Sequence, residues 1–313
     1  MPIPLLTGRA PSVSSITQPR LESTVTVGRG RRLGYAEYGD PDGRLVLWFH
    51  GTPGGRRQLA PIARDHAATL GLRVVLVARP GAGVSTDHKY GHIADWATDV
   101  DRVADHLGHE RFAVVGLSGG GPYALACGAL LPDRVAAVGV IGGVVPSVGP
   151  DASATGVVTL AERFNALMGP SRWPMGTGLW GLVQLIRPFA HQAMLAFSAV
   201  SPPGDQLVFQ DPEMEAMFID DLLDTTKHQA RAIVNDAYLF GRDWGFRLED
   251  VKVPVRWWHG DDDFIVPHVG AVEAVTRLPD CELIMRPGEG HLGGFAAADE
   301  VLHVIDQLLP ATG

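Results

Sequence analysis

Phe112-Ala113-Val114-Val115-Gly116-Leu117-Ser118-Gly119-Gly120-Gly121-Pro122-Tyr123-Ala124 is the stretch on which the fold turns. Phe112 to Val115 reads as a buried strand, and Pro122 to Ala126 opens a helix-like run. Ser118 therefore stands on a sharp turn from strand to helix. Gly116 and Gly120 have a steric reason, because side chains two residues either side of the serine would collide where strand and helix meet. The helix N-terminus also aims unpaired N–H groups at any negative charge that develops beside the serine. G-x-S-x-G alone is short, and its strand-before, helix-after setting is what gives it weight.

The same glycines allow a second reading. Gly119-Gly120-Gly121-Pro122-Tyr123-Ala124 fits G-x-G-x-x-A, a dinucleotide fingerprint. That fingerprint needs an acidic residue about twenty positions on, at the end of the next strand, to hold a ribose. The chain reads Val138-Gly139-Val140-Ile141-Gly142-Gly143 there and offers no carboxylate. The dinucleotide reading fails.

With 313 residues, 46% hydrophobic and 19% charged, the chain has the material for one large α/β domain, or a domain with an insertion. A formal charge of −9 argues against a nucleic-acid partner. The nearest basic group, Arg29, Arg31 and Arg32, reads as a solvated hairpin turn around Gly28 and Gly30. Two cysteines, Cys127 and Cys281, cannot make a disulfide framework; they read as reduced core or near-core thiols and suit a cytoplasmic setting. Val135 to Val145 is too short to span a bilayer. The first twenty residues lack a charged region followed by an apolar one, so no signal peptide is expected, and residues 1–23 read as a loose arm. The expected partners are a small-molecule substrate and, as an option, a second copy of the chain; no cofactor and no metal is expected.

From Thr24 onward, strand and helix signals alternate. Strands are expected at 24–27, 33–38, 45–49, 73–77, 112–115, 135–141, 253–258 and 282–285, with helices at 60–70, 93–107, 122–131 and 299–309. The first two strands should pair as a hairpin. The pattern predicts an α/β fold: a mostly parallel, eight-stranded sheet with helices on both faces. Its core would span 24–145 and 247–313. Residues 146–246 break the rhythm. They show no convincing strand and carry Trp173, Trp180, Met194, Phe197, Met214, Met217 and Phe218, with Pro188 and Pro202-Pro203 as punctuation. This stretch reads as a helical cap over the strand ends. Most of its aromatics would glue it to the core; Trp180, Phe197 and Met217 are the expected substrate contacts.

A serine hydroxyl needs a base in reach, oriented in turn by a third group. Asp261-Asp262-Asp263 follow the Trp257-Trp258 strand, and three adjacent carboxylates repel, so the turn should expose at least one. A solvated acidic turn or a weak cation site would look the same. Of twelve histidines, His291 is set apart by its loop, Gly288-Glu289-Gly290-His291-Leu292-Gly293-Gly294, after the last strand. Such a loop can swing an imidazole back over the sheet. His259 could back-bond the acidic turn. Finally, His50-Gly51-Thr52-Pro53-Gly54-Gly55 can present a backbone N–H beside Ser118, complementing that of Gly119. A P-loop is ruled out there, since no Gly-Lys-Ser/Thr follows.

Taken together, Gly116 to Gly120, His50 to Gly55, Arg79-Pro80-Gly81-Ala82-Gly83-Val84-Ser85, Gly260 to Pro267 and Gly290-His291 resemble the α/β-hydrolase superfamily, in its serine-nucleophile, cap-bearing, esterase- and lipase-like branch. The likeness covers nearly everything from Thr24 apart from the cap. It implies Ser118 as nucleophile, His291 as base and Asp263 as orienting acid, the last because the family turn looks like G-x-x-D-x-x-V-P; the residues alone leave Asp261 equal to it. Thr52 and Gly119 would then be the oxyanion donors. Family members often carry aspartate where this chain has Ala78-Arg79-Pro80. A serine at 118 disfavours the epoxide hydrolases and haloalkane dehalogenases of this fold, which use aspartate. The implied function is cleavage of a small or medium, largely apolar carboxylic ester through an acyl-enzyme. Amidase or iminopeptidase, lactonase, carbon–carbon bond hydrolase and cofactor-free peroxidase chemistry share the same triad. A receptor-like relative that binds ligand with little turnover is the alternative from another class.

Overall fold

The computed structural model describes residues 16–156 and 158–310. Most of the expected N-terminal arm, residues 1–15, lies outside them. One eight-stranded sheet has the spatial order β1-β2-β4-β3-β5-β6-β7-β8. Its strands are β1 (Leu21–Gly28), β2 (Arg31–Gly39), β3 (Arg44–Phe49), β4 (Leu72–Val77), β5 (Phe112–Leu117), β6 (Val135–Ile141), β7 (Val255–Gly260) and β8 (Cys281–Arg286). β1 and β2 form an antiparallel hairpin, β2 joins β4 antiparallel, and every other pair is parallel. All eight expected strands are present, β1 starting three residues before Thr24.

Helices α1 (Pro61–Thr69) and α11 (Ala298–Leu308) pack on one face, while α2 (Asp95–Leu107), α3 (Gly121–Leu130) and α9 (His268–Val275) cover the other. α10 (Gly293–Ala296) is a single short turn before α11. The central strands are buried on both faces, so they read as continuous apolar runs instead of alternating ones. Trp257 and Trp258 illustrate this: neighbours on β7, they enter opposite cores, Trp257 with α2 and α3, Trp258 with α1 and α11.

Between β6 and β7 come α4 (Val158–Ile186), α5 (Ala190–Ser198), α6 (Pro203–Gln210), α7 (Pro212–Thr225) and α8 (Arg231–Phe240), with no strand among the described residues. Proline sits where a helix tolerates it at the starts of α6 and α7. Pro170 and Pro174, by contrast, lie inside α4. No helix among the described residues is long and apolar enough to cross a membrane.

The hairpin basic group is only partly solvated. Arg29 and Arg32 are exposed, but Arg31 donates through both terminal nitrogens to Asp99 on α2, each at 2.7 Å. A bidentate arginine–carboxylate pair ties the β1–β2 hairpin to the helix layer. Cys127 is buried and Cys281 half-buried, both as free thiols, and burial pushes the Cys281 thiol up to about 12.

Chain connectivity decides where a site can form. β3 is flanked by β4 on one side and β5 on the other, so the chain reverses its direction of travel across the sheet between them. A crevice opens at the carboxyl ends of strands at such a reversal. Phe49 at the end of β3 pairs with Gly116 of β5, which brings the His50 loop and Ser118 side by side.

Candidate active site

Ser118 has φ 51°, one of only two non-glycine residues with positive φ among those described. That conformation is costly for an L-residue and persists only where the surroundings over-determine it. The surroundings are tight. A side chain at Gly116 would strike the backbone of Gly120 and Gly121, and one at Gly120 would strike the carbonyls of Phe49 and His50. Both glycines are therefore required by close backbone approach, as the strand–turn–helix reading anticipates. Gly51 lies against the serine as well: a Cβ placed there would sit 3.4 Å from that of Ser118.

Three elements converge on this turn. The hydroxyl of Ser118 donates to Nε2 of His291 at 2.8 Å, and Nδ1–H of His291 donates to Oδ2 of Asp263 at 2.7 Å. Asp263 keeps its orientation through Oδ1, which accepts from the N–H groups of Ile265 (2.9 Å) and Val266 (2.8 Å). The geometry separates what the residues alone left equal. Asp263 is buried on the histidine, whereas Asp261 and Asp262 are exposed, Asp261 accepting from Gly288 N–H at 2.7 Å. Burial works against ionising Asp263, but the hydrogen bonds from His259 and His291 outweigh it and hold the carboxyl well below the usual carboxylate range. An ionised Asp263 can only accept, which fixes the proton on Nδ1 of His291 and leaves Nε2 free to receive the serine proton.

Two further histidines flank the relay without joining it. His259 Nδ1 accepts from Trp257 Nε1–H at 3.2 Å, so its Nε2–H points to the Val266 carbonyl at 2.8 Å, with Asp263 Oδ2 3.3 Å away. It back-bonds the acidic turn. His50 Nε2 accepts from the Arg79 N–H at 3.1 Å, and its Nδ1–H donates to the Gly51 carbonyl at 2.8 Å. Burial, aided by the Arg79 charge, keeps His50 well below its ordinary pKa, so it is a neutral brace.

The loop after β3 is held by a network that the sequence did not reveal. The Arg79 guanidinium donates to the carbonyls of His50 (2.6 Å) and Gly51 (3.0 Å), to Thr52 Oγ1 (2.9 Å) and to Asp236 Oδ2 (2.7 Å). Asp236, from α8, also accepts from Thr52 Oγ1–H at 2.6 Å and Tyr123 OH at 2.7 Å. Both charges are buried, so desolvation is costly, and only this full set of hydrogen bonds offsets it. Gln58 adds a second brace, accepting from Gly51 N–H at 2.6 Å and donating to the Pro53 carbonyl at 3.0 Å. Thr52 and Gly119 end up in direct contact, since a side chain at Gly119 would collide with Thr52. The departure already seen at Ala78-Arg79-Pro80 was the available signal for this network.

Above Ser118 lies a cavity of about 330 Å³. Met194, Phe197, Phe209 and Phe218 of the inserted helices line it, with Ile265, Leu292 and Phe295 from the core. Of the expected substrate contacts, Phe197 is therefore at the site. Trp180 and Met217 are elsewhere. Trp180 Nε1–H donates to the Thr226 carbonyl at 2.9 Å, tying α4 to the end of α7, and Met217 is fully buried in the core beside α1 and α11. Helical spacing alone could not show which face of α4 or α7 meets the serine. A larger hollow, about 530 Å³, opens between α1 and α6; it shares Phe295 but includes none of Ser118, His291 and Asp263.

A mostly parallel sheet with a serine on a strained strand–helix turn, faced by a histidine and a buried aspartate, defines the α/β-hydrolase class. The chain belongs to the alpha/beta hydrolase fold family, whose sequence profile matches residues 44–297. Among curated relatives, a probable proline iminopeptidase of Leptolyngbya boryana is 33% identical over 103 residues, which is 32% of this chain and only 32% of that protein. A 2-hydroxy-6-oxononadienedioate/2-hydroxy-6-oxononatrienedioate hydrolase of Paraburkholderia phymatum is 28% identical over 87% of this chain and 88% of its own. Among solved structures, an alpha/beta hydrolase fold protein from Nakamurella multipartita superposes with a TM-score of 0.67 at 23% identity, covering 92% of this chain and 99% of that one. The family supports a hydrolase; the bond that is cleaved is a finer matter.

Proposed function

We propose that this chain is a serine esterase acting on small or medium, largely apolar carboxylic esters, with residues 146–246 as a helical cap over the site. The observation that carries the reading is the Ser118–His291–Asp263 relay opening into an apolar cavity. His291 takes the Ser118 proton as Oγ attacks the ester carbonyl. The oxyanion rests on the backbone N–H groups of Thr52 and Gly119, and the alkoxide leaves with the proton that His291 returns. Water, activated by the same histidine, then releases the acid.

Cavity chemistry favours an ester over the substrates named for the two relatives. No Asp, Glu, Lys or Arg is among the described residues that line the cavity. A dicarboxylate or a free amino terminus would enter without a counter-charge, which is expensive in an apolar site. A neutral ester carries no such cost.

The test pairs fluorophosphonate labelling with a panel of p-nitrophenyl esters, lactones, prolyl amides and a 2-hydroxy-6-oxo dienoate. Wild-type protein should label at Ser118 and turn over short to medium acyl esters fastest. Ser118→Ala should lose labelling and about 10⁴-fold or more of kcat with an unchanged melting curve. Faster turnover of the prolyl amide or the dienoate refutes the ester assignment. Stoichiometric labelling without turnover of any substrate in the panel favours a ligand-binding relative.

A further inference from the structure

Besides Asp236, the inserted helices return two buried carboxylates, Asp205 and Asp221, that accept backbone N–H groups from loops carrying parts of the site. Asp205, in the first turn of α6, is 1% exposed. Its Oδ1 accepts from the N–H groups of Gly290 (3.0 Å), Leu292 (3.2 Å) and Gly293 (2.9 Å). These residues bracket His291 on both sides. Asp221, in α7, accepts from Gly55 N–H through Oδ2 and from Arg57 N–H through Oδ1, both at 3.0 Å, in the loop that carries Thr52.

Energetically these are expensive anchors. Asp205 accepts from no cationic side chain among the described residues, and burial raises its pKa even though the three N–H groups pull the other way. Apolar packing would dock α6 at lower cost. What apolar packing cannot do is fix the direction of three N–H groups in a glycine-rich loop. The fit is close: a Cβ on Gly290 would lie 2.8 Å from Asp205 Cγ, so the carboxylate reaches the loop only because position 290 is glycine. A fourth contact, between Gly204 and the loop backbone, leaves the same lack of room, with a Cβ there falling 2.9 Å from Glu289 Cα.

We propose that Asp205 is a positioning residue for His291: it holds the imidazole-bearing loop in register with Ser118, so the inserted helices take part in proton transfer as well as covering the site. The inference rests on the serine-hydrolase reading. Release of the loop would leave Asp263 in place but let the imidazole drift from the serine. Misplacement by about 1 Å is enough to cost roughly 10²-fold in rate.

The test compares wild type, Asp205→Ala and Asp205→Asn for the rate of fluorophosphonate labelling at Ser118, for kcat and KM with p-nitrophenyl acetate, and for melting temperature. Asp205→Ala should label and turn over on the order of 10–100-fold more slowly, as a loosely held base should. KM for so small an ester should stay near the wild-type value. Asp205→Asn, whose amide oxygen can accept the same N–H bonds, should recover most of the rate. Failure of wild type to label overturns the serine-hydrolase reading and takes this inference with it. Labelling of wild type and of folded Asp205→Ala at equal rates overturns the inference alone. So does an Asn variant as slow as the Ala variant when both also melt early, since that pattern marks a folding role.

Discussion

The sheet ends around Ser118 and the helices laid over them are built on opposite terms. At the elbow, backbone meets backbone, so Gly116 and Gly120 have no room for a methyl group, and the neighbouring strand residues are fully buried. In α4, Gly178 and Gly181 face open space and Leu185 leaves 74% of its surface exposed, while Phe189, just past the helix end, leaves 62%. A methyl group added at the elbow meets backbone atoms, whereas one added on the outer face of α4 meets nothing. The contrast teaches where each kind of information sits. The Ser118 turn is held by the sheet, while the inserted helices line the cavity above it and lend carboxylates to the loops around it.

The comparison breaks hardest at the relay. In Asp263→Asn the amide oxygen can keep the Ile265 and Val266 bonds, but an NH₂ then faces His291 Nδ1 and the imidazole adopts the wrong tautomer. Turnover of p-nitrophenyl esters should fall by about 10⁴-fold with the fold intact. A loss of tenfold or less would place the orienting charge elsewhere.

Matched glycine substitutions test the packing contrast directly. Gly120→Ala forces a methyl group into the Phe49 carbonyl and should cost about 1–3 kcal/mol, read as a lowered denaturation midpoint with diminished activity. Gly181→Ala meets nothing within 4 Å inside a helix and should stabilise by about 0.5–1 kcal/mol without changing turnover. Equal effects would erase the distinction between the regions.

The last effect is a pH dependence at the junction. Burial, reinforced by the Asp224 and Asp220 carboxylates, pushes Asp221 from the ordinary value of 3.8 up to about 7, against the pull of its N–H bonds. Between those values the folded chain holds a proton that the unfolded chain has lost, so this residue's contribution to stability falls as pH rises, and levels off above about 7. Buried neutral His50 pulls the opposite way below its unfolded pKa. The difference between wild type and Asp221→Asn cancels that pull. The variant should gain on wild type from pH 5 to pH 7 by at most about 1.4 kcal/mol per pH unit, measured by chemical denaturation. A constant difference would remove Asp221 as the titrating group.

Strand positions, the elbow and the order of the site residues were legible because each rests on local chemistry. A strand buried on both faces must be a continuous apolar run, and a serine on a strained turn must have small neighbours. His291 could be found because a glycine-rich loop after the last strand is a local signal. Choosing Asp263 over Asp261 needed either a family likeness or the coordinates, since alternate residues of a turn differ only in which way they face.

The sequence by itself determined an α/β sheet, a serine at its crevice and the residue types that face it. Tertiary structure alone decided that Phe197 meets the cavity while Trp180 and Met217 turn away from it. It also decided that Arg79 and Asp236, 157 residues apart, brace the Thr52 loop, and that Asp205 reaches the His291 loop. The physical reason is range. Periodicity and turn chemistry are written within a few neighbours, whereas the direction of a helix face and the partner of a buried charge depend on contacts between segments far apart in the chain.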